Sequence, residues 1–141
     1  MATKRQLQRI NPAGLRDPSQ WAPSQFYSQV VLTPPGSKLA FFSGQVGPDE
    51  NGEFKTGHVE QMRQAFNNLR ISLQAAGARP EDVAQITILV ADYTEELLEP
   101  LAHENFELWG DKKPASTLIP VPKLGVDDLK FEINAIAMIP D

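Results

Sequence analysis

Glu132 is the residue whose surroundings in the sequence point most directly to chemistry. It lies in the stretch Asp128-Leu-Lys-Phe-Glu-Ile-Asn-Ala-Ile-Ala-Met-Ile139. Read with a two-residue period, Leu129, Phe131, Ile133, Ala135 and Ala137 share one face, and Lys130, Glu132, Asn134, Ile136 and Met138 share the other. The first face is uniformly apolar and suits a sheet surface on which helices pack. The second mixes aliphatic side chains with a carboxylate and an amide, the pattern of a pocket or of a subunit interface. Enclosed there, the carboxylate can act as a general base on water or as an acid to a leaving amine. A carboxylate that only accepts hydrogen bonds at an interface is the competing reading.

Other residues offer narrower chemistry. Tyr27 can donate a hydrogen bond to a ligand carbonyl or imine nitrogen, or serve as an amphipathic strand residue with a wet tip. Ser116 and Thr117 can bind a neutral polar ligand, although strand alternation accounts for one of them without any function. No base accompanies Ser43 or Ser116 in a recognisable motif, which argues against a nucleophilic serine. The chain has no cysteine and only two histidines, His58 and His103, so thiolate chemistry, disulfides and a multi-histidine zinc site are excluded. Both histidines read as solvated. The acidic run Asp49-Glu-Asn-Gly-Glu53 lacks the alternate-position spacing of a calcium loop.

The elements that must position these residues follow from periodicity and turn signals. Residues 1 to 24 read as an irregular arm with turn-prone Pro12 and Pro18. Gln25 to Leu32 alternates as a first strand, Thr33-Pro-Pro-Gly-Ser37 is a turn, and Lys38 to Val46 completes a hairpin. A loop around Asn51-Gly52 follows. From His58 to Ala76 apolar residues recur at three- and four-residue steps, predicting a helix stopped by Gly77 in a left-handed cap. Pro80-Glu-Asp is a short helical turn, and Val83 to Ala91 a third strand. A second helix, capped by Thr94, begins within a turn of Pro100, packs through Leu98, Leu101, Ala102, Phe106 and Trp109, and ends at Gly110. Ala115 to Val121 is a fourth strand, and the strand from Leu129 closes the domain.

The result is a single α+β domain over residues 1–141, ordered β-β-α-β-α-β-β. Two helices cover one face of the sheet. The other face carries Leu89, Ile136 and Met138 without a helix above it, and so large an apolar patch predicts a homo-oligomer with sheet faces packed together. A net charge of -5 and a pI near 5.0 argue against nucleic-acid binding, which rests on attraction to phosphates. The basic residues Lys4, Arg5 and Arg9 read as a solvated tail. No segment has the length of a membrane span and no apolar run follows the N-terminal charges, so a soluble, cytoplasmic protein is expected.

Along almost its whole length the chain resembles the Rid family, the reactive intermediate deaminases also called YjgF-like proteins. The resemblance is carried, in order, by Ile10-Asn-Pro-Ala-Gly14, Tyr27-Ser-Gln-Val-Val31, Phe42-Ser-Gly-Gln-Val46, Gln64-Ala-Phe-Asn-Asn-Leu69, Leu73-Gln-Ala-Ala-Gly77 with Asp82-Val83, Pro114-Ala-Ser-Thr117 and Phe131-Glu-Ile-Asn-Ala-Ile-Ala137. It implies a fold like the chorismate mutase of bacilli, a homotrimer with a central barrel, and small-molecule pockets between subunits. It also implies hydrolysis of enamines or imines derived from amino acids to a keto acid and ammonia, with no metal or organic cofactor. Carried over residue by residue, the site tyrosine is Tyr27, the Ser-Gly-Gln segment is Ser43, Gly44 and Gln45, and the water-positioning glutamate is Glu132. The family's carboxylate-binding arginine does not carry over, because Ser116 stands at that place in Pro114-Ala-Ser-Thr117.

That replacement exchanges a permanently charged, two-pronged donor for one neutral hydroxyl, which puts activity on 2-aminoacrylate in doubt. Lys113 and Lys123 are the nearest basic residues in sequence. The expectation is therefore a cofactor-independent deaminase of imines, enamines or related carbonyl-nitrogen compounds, with Ser116 and Thr117 among the ligand-binding residues. A non-catalytic trimer that binds a metabolite or a protein is the alternative, and RNA cleavage is a third reading that the acidic charge disfavours.

Overall fold

The structure is a computed structural model and describes residues 6–16, 18 and 27–140. Lys4, Arg5 and the start of the expected first strand, Gln25 and Phe26, lie outside the described residues. In chain order the elements are β1 (Gln8–Ile10), β2 (Val30–Leu32), β3 (Lys38–Gln45), α1 (His58–Ala76), β4 (Val83–Ala91), α2 (Leu98–Trp109), β5 (Ala115–Val121) and β6 (Phe131–Ile139). The main sheet runs β3-β6-β4-β5, antiparallel except for the parallel pair β4 and β5. The α+β class stands as expected.

Helix α1 forms for the reasons that its sequence suggests. In α1 the recurring Met62, Ala65, Phe66, Leu69 and Leu73 are all buried. Gly77 adopts φ 79° and donates its N–H back to the last turn, ending the helix where side chains with a Cβ are disfavoured. The α1 stripe lies on the apolar face of β6, where Phe66 and Phe131 stack with ring centroids 6.0 Å apart. Phe131, Ile133, Ala135 and Ala137 of β6 join Ile86, Ile88 and Val90 of β4 in this core.

Several expectations need correction. Residues 8–10 are a strand, not irregular arm, and pair with β2 in a separate two-stranded ribbon, Gln8 against Leu32 and Ile10 against Val30. Within its described part the first strand is only Val30–Leu32, and it forms no hairpin with β3. Pro34 and Pro35 bring no N–H at the place where a hairpin ladder has to begin. Strand β6 starts at Phe131 rather than Leu129, because the Lys130 N–H is taken by the Gln61 side chain at 2.7 Å. In α2, Phe106 is 57% exposed and does not pack. The buried positions are Leu101, Glu104, Asn105, Leu108 and Trp109, a stripe that leaves Phe106 off its axis. Asn105 is accommodated because its amide donates to the Leu101 carbonyl at 3.1 Å and accepts the Trp109 indole N–H at 2.8 Å. Helix α2 is preceded by a 3-10 turn, Glu95–Leu97, whose N-cap Thr94 makes no side-chain capping bond.

Asp82 closes the 3-10 turn Pro80–Asp82 from within. Its carboxylate, 2% exposed as a residue, accepts the Arg79 backbone N–H at 2.8 Å and the Arg79 guanidinium at 3.3 Å. Asp82→Ala removes that cap and leaves a part-buried N–H without its side-chain partner, so it should cost about 1 kcal/mol. In urea titration the midpoint should fall with the slope unchanged.

Candidate functional site

Glu132 is the second residue of β6 and is half-buried. Beside it, the pairing of β3 with β6 slips from Phe42 against Ala135 to Gln45 against Ile133. Ser43 and Gly44 therefore stand together opposite Asn134, a β-bulge of the kind that re-aims side chains at the rim of a sheet. A methyl group placed on Gly44 would lie 2.5 Å from Cδ and 2.9 Å from Oε2 of Glu132. The carboxylate thus rests directly on the Gly44 backbone, in space that only glycine leaves open. Three expected site residues, Ser43, Gly44 and Glu132, are brought together here, with Gln45 next along the strand. The Gln45 side chain folds back, its Nε2 donating to the Ser43 carbonyl at 3.0 Å.

The sheet register sets the neighbours of Glu132 on the face that, among the described residues, carries no helix. Leu89 and then Ile119 continue its row across β4 and β5, and Asn134, Thr87 and Thr117 form the polar row beyond. The Thr87 N–H donates to Asn134 Oδ1 at 3.2 Å. Along β3, Phe41 stands beside Ile136 and Leu39 beside Met138. Phe41 is 73% exposed and Leu39 and Ile119 are each 42% exposed, so this face is open and apolar as expected. Met138 is a correction, since it is buried within the single chain.

Ser116 is placed apart from Glu132. It stands in register with Ile86, a buried residue of the helix-covered face, and Leu118, two residues on, packs against the core. Alternation therefore puts Thr117 on the face of Glu132 and Ser116 on the opposite one. The two strands that carry Ser116 and Glu132 are separated by β4, about 10 Å from axis to axis. Within one chain these two candidates do not meet.

Tyr27 gathers near the start of β5 instead. It is half-buried and packed against the core, while Ser28 donates its N–H to the Pro114 carbonyl at 3.0 Å and its hydroxyl to the Lys113 carbonyl at 2.7 Å. Arg9 completes this cluster, donating to the carbonyls of Lys113, Lys112 and Glu81, each at 3.0 Å. Its reading as a solvated tail is thus overturned. Burial pulls its guanidinium below the ordinary value, opposed by the charges of Glu81, Asp111 and Asp82. No local sequence signal marked Arg9, because its partners lie more than seventy positions away. Lys123 is engaged within its own loop, paired with Asp127 at 2.9 Å.

The approach to Glu132 is held from several sides. Lys130 pairs with Asp92 at 2.6 Å. Their hydrogen bond holds the Asp92 carboxyl below the ordinary carboxylate value and the Lys130 ammonium above its own. Asp92 occupies a left-handed backbone conformation, φ 52°. His58, expected to be solvated, instead bonds through Nε2 to the Ala91 carbonyl at 2.7 Å. Buried Gln61 donates to the carbonyls of Lys55 at 3.0 Å and Asp128 at 2.6 Å while accepting from Lys130. Asn68 donates to the carbonyls of Val46 at 2.9 Å and Pro48 at 3.0 Å, just beyond the bulge. Among the described residues, no helix is long and apolar enough to cross a membrane.

Residues 18–139 match the family described as Endoribonuclease L-PSP. The chain is 34% identical to the RutC family protein YjgH of Escherichia coli over 73% of its own length and 77% of that protein. It is 30% identical to the 2-iminobutanoate/2-iminopropanoate deaminase of Homo sapiens, over 79% of each chain. Among solved structures it superposes on YyfB of Yersinia pestis, a Rid family protein of unknown function, with a TM-score of 0.82 at 26% identity, covering 94% of this chain and 98% of the other.

Proposed function

Since this chain belongs to the Rid (YjgF-like) family, we propose that it hydrolyses imines, enamines or related carbonyl-nitrogen compounds, with Glu132 as the group that orients and deprotonates water. The observation that carries this reading is the seat of the Glu132 carboxylate on the Gly44 bulge, at the rim of an open apolar face. Relatives named as 2-iminobutanoate/2-iminopropanoate deaminases support the substrate class.

In this reading Glu132 takes a proton from water as the water oxygen bonds to the imine carbon, and the imine nitrogen gains a proton. The resulting carbinolamine loses ammonia when its nitrogen receives a second proton and the C–N bond breaks. The carbinolamine hydroxyl gives up its proton to leave the carbonyl product. A single carboxylate can pass protons in both directions, and the sequence needs no cofactor. Freshly generated neutral imine should release ammonia and its carbonyl product in equal amounts, faster with protein than without.

We further propose that the working form is a homotrimer and that the ligand lies between subunits. Phe41, Leu39 and Ile119 are exposed on the face that also carries Glu132, and a second copy would remove them from water. Ser116 and Glu132 lie on opposite faces, so both can reach one small ligand only if neighbouring chains contribute them. Tyr27 and Thr117 are assigned to the same ligand contacts. The family description's nuclease activity is not carried over, because a net charge of -5 opposes a polyphosphate substrate.

The serine at position 116 sets the expected specificity. Without a guanidinium there, imines bearing a carboxylate should be poor substrates compared with neutral ones. Ser116→Arg should lower KM for an acidic imine by about 10- to 100-fold and leave neutral imines little changed, a gain on the scale of one charge-assisted contact. Steady-state kinetics on a matched acidic and neutral pair decides it, and no change on the acidic substrate would remove Ser116 from the ligand contacts.

A further inference from the structure

We infer that Gln61 and Asn68, two amide side chains on α1, are positioning residues that set where the Glu132 carboxylate sits on Gly44. Both lie on the stretch of helix that faces the adjoining ends of β3 and β6. Gln61 holds the approach to β6 by three hydrogen bonds, two donated to the carbonyls of Lys55 and Asp128 and one accepted from the Lys130 N–H. Lys130 is two residues before Glu132. Asn68 holds the far side, bonding the carbonyls of Val46 and Pro48 just after Gly44 and Gln45. Its own Oδ1 accepts from Gln64 Nε2 at 2.9 Å, which fixes the orientation of the amide.

The two anchors grip opposite sides of one close contact. Because β3 and β6 meet there through a bulge, the strand ladder alone leaves their ends less constrained than a regular pair. Gly47 lets α1 approach closely enough for this, since a methyl group there would lie 2.7 Å from Gln61 Cβ. A buried amide that satisfies three backbone groups, one at Lys55 and two on the stretch Asp128–Lys130, is a costly feature unless every bond is made. Two of those bonds end on Asp128 and Lys130, on the short stretch that leads directly into Glu132. An error of about 1 Å in the carboxylate's position is enough to cost ~100-fold in rate.

The inference rests on the reading of Glu132 as the water-orienting base, and its test separates the two. Carboxyl-13C glutamate labelling, with Glu132→Gln to assign the signal, reports the Glu132 environment directly. Gln61→Met keeps the side chain's length and removes its donor and acceptor; Asn68→Leu does the same for the other anchor. Each should shift or broaden the Glu132 resonance and lower kcat per folded molecule by about 10- to 100-fold. Asp82→Ala, destabilising but remote from these anchors, should leave both readings as in the wild type. Should Gln61→Met fail to fold, Asn68→Leu decides alone. A wild type without imine hydrolysis ends the reading of the reaction, and the resonance then decides the positioning role by itself. A Glu132 signal unchanged in the folded variants overturns the inference.

Discussion

Glu132→Gln should lower kcat for imine hydrolysis by about 10²- to 10⁴-fold, the range typical of a lost general base. The substitution keeps the side chain's size and its seat on Gly44, so the fold and the melting temperature should change little. Water can still occupy the site, but an amide cannot take its proton. KM should therefore stay within a few-fold of the wild type while kcat and kcat/KM fall together, the signature of an interaction made in the transition state. Equal rates in the two proteins would exclude this carboxylate from the chemistry.

Gly44→Ala should reach nearly the same result without touching any reacting group. The added methyl would lie 2.5 Å from Glu132 Cδ and 2.7 Å from Cγ, distances that van der Waals repulsion forbids. The carboxylate must move, whereas Gly44 itself is exposed, so the strain falls on the Glu132 side chain and not on the core. A displacement of about 1 Å predicts a loss of roughly 100-fold in kcat. Because both substitutions act through one group, the double variant Gly44→Ala, Glu132→Gln should be no slower than Glu132→Gln alone. Full additivity in the kinetic cycle would mean that the methyl acts somewhere other than on Glu132.

The parts of the fold that were legible in the sequence are those governed by local periodicity. His58–Ala76, Val83–Ala91 and Ala115–Val121 have the expected bounds, because a local side-chain period defines each of them, with Gly77 ending the helix and Pro114 and Pro122 bracketing the last of the three. The Gln8–Ile10 strand was hidden, since three residues carry no period and their partner lies beyond a long connection. Phe106 misled because aromatic character suggests burial, yet helix phase decides it, and the buried phase belongs to Glu104 and Asn105.

For the site, Glu132 could be singled out from its own strand, as a carboxylate among aliphatic residues. Its contact with Gly44 could not, because that depends on a one-residue slip between strands far apart in sequence. The separation of Ser116 from Glu132 has the same origin: each strand's alternation is readable alone, but which faces coincide is set by the β4 register between them. Arg9 and Gln61 were equally silent. Their roles lie in backbone carbonyls of other segments, which no residue type announces.

In the proposed working form, copies of this chain cover the open face and complete a cleft containing Glu132. Sedimentation velocity at the concentration used for assay distinguishes that assembly from a single chain. The particle should have the mass of three 15.6 kDa chains, and Phe41→Asp should dissociate it and abolish imine hydrolysis together. A fully active particle of one chain would contradict it.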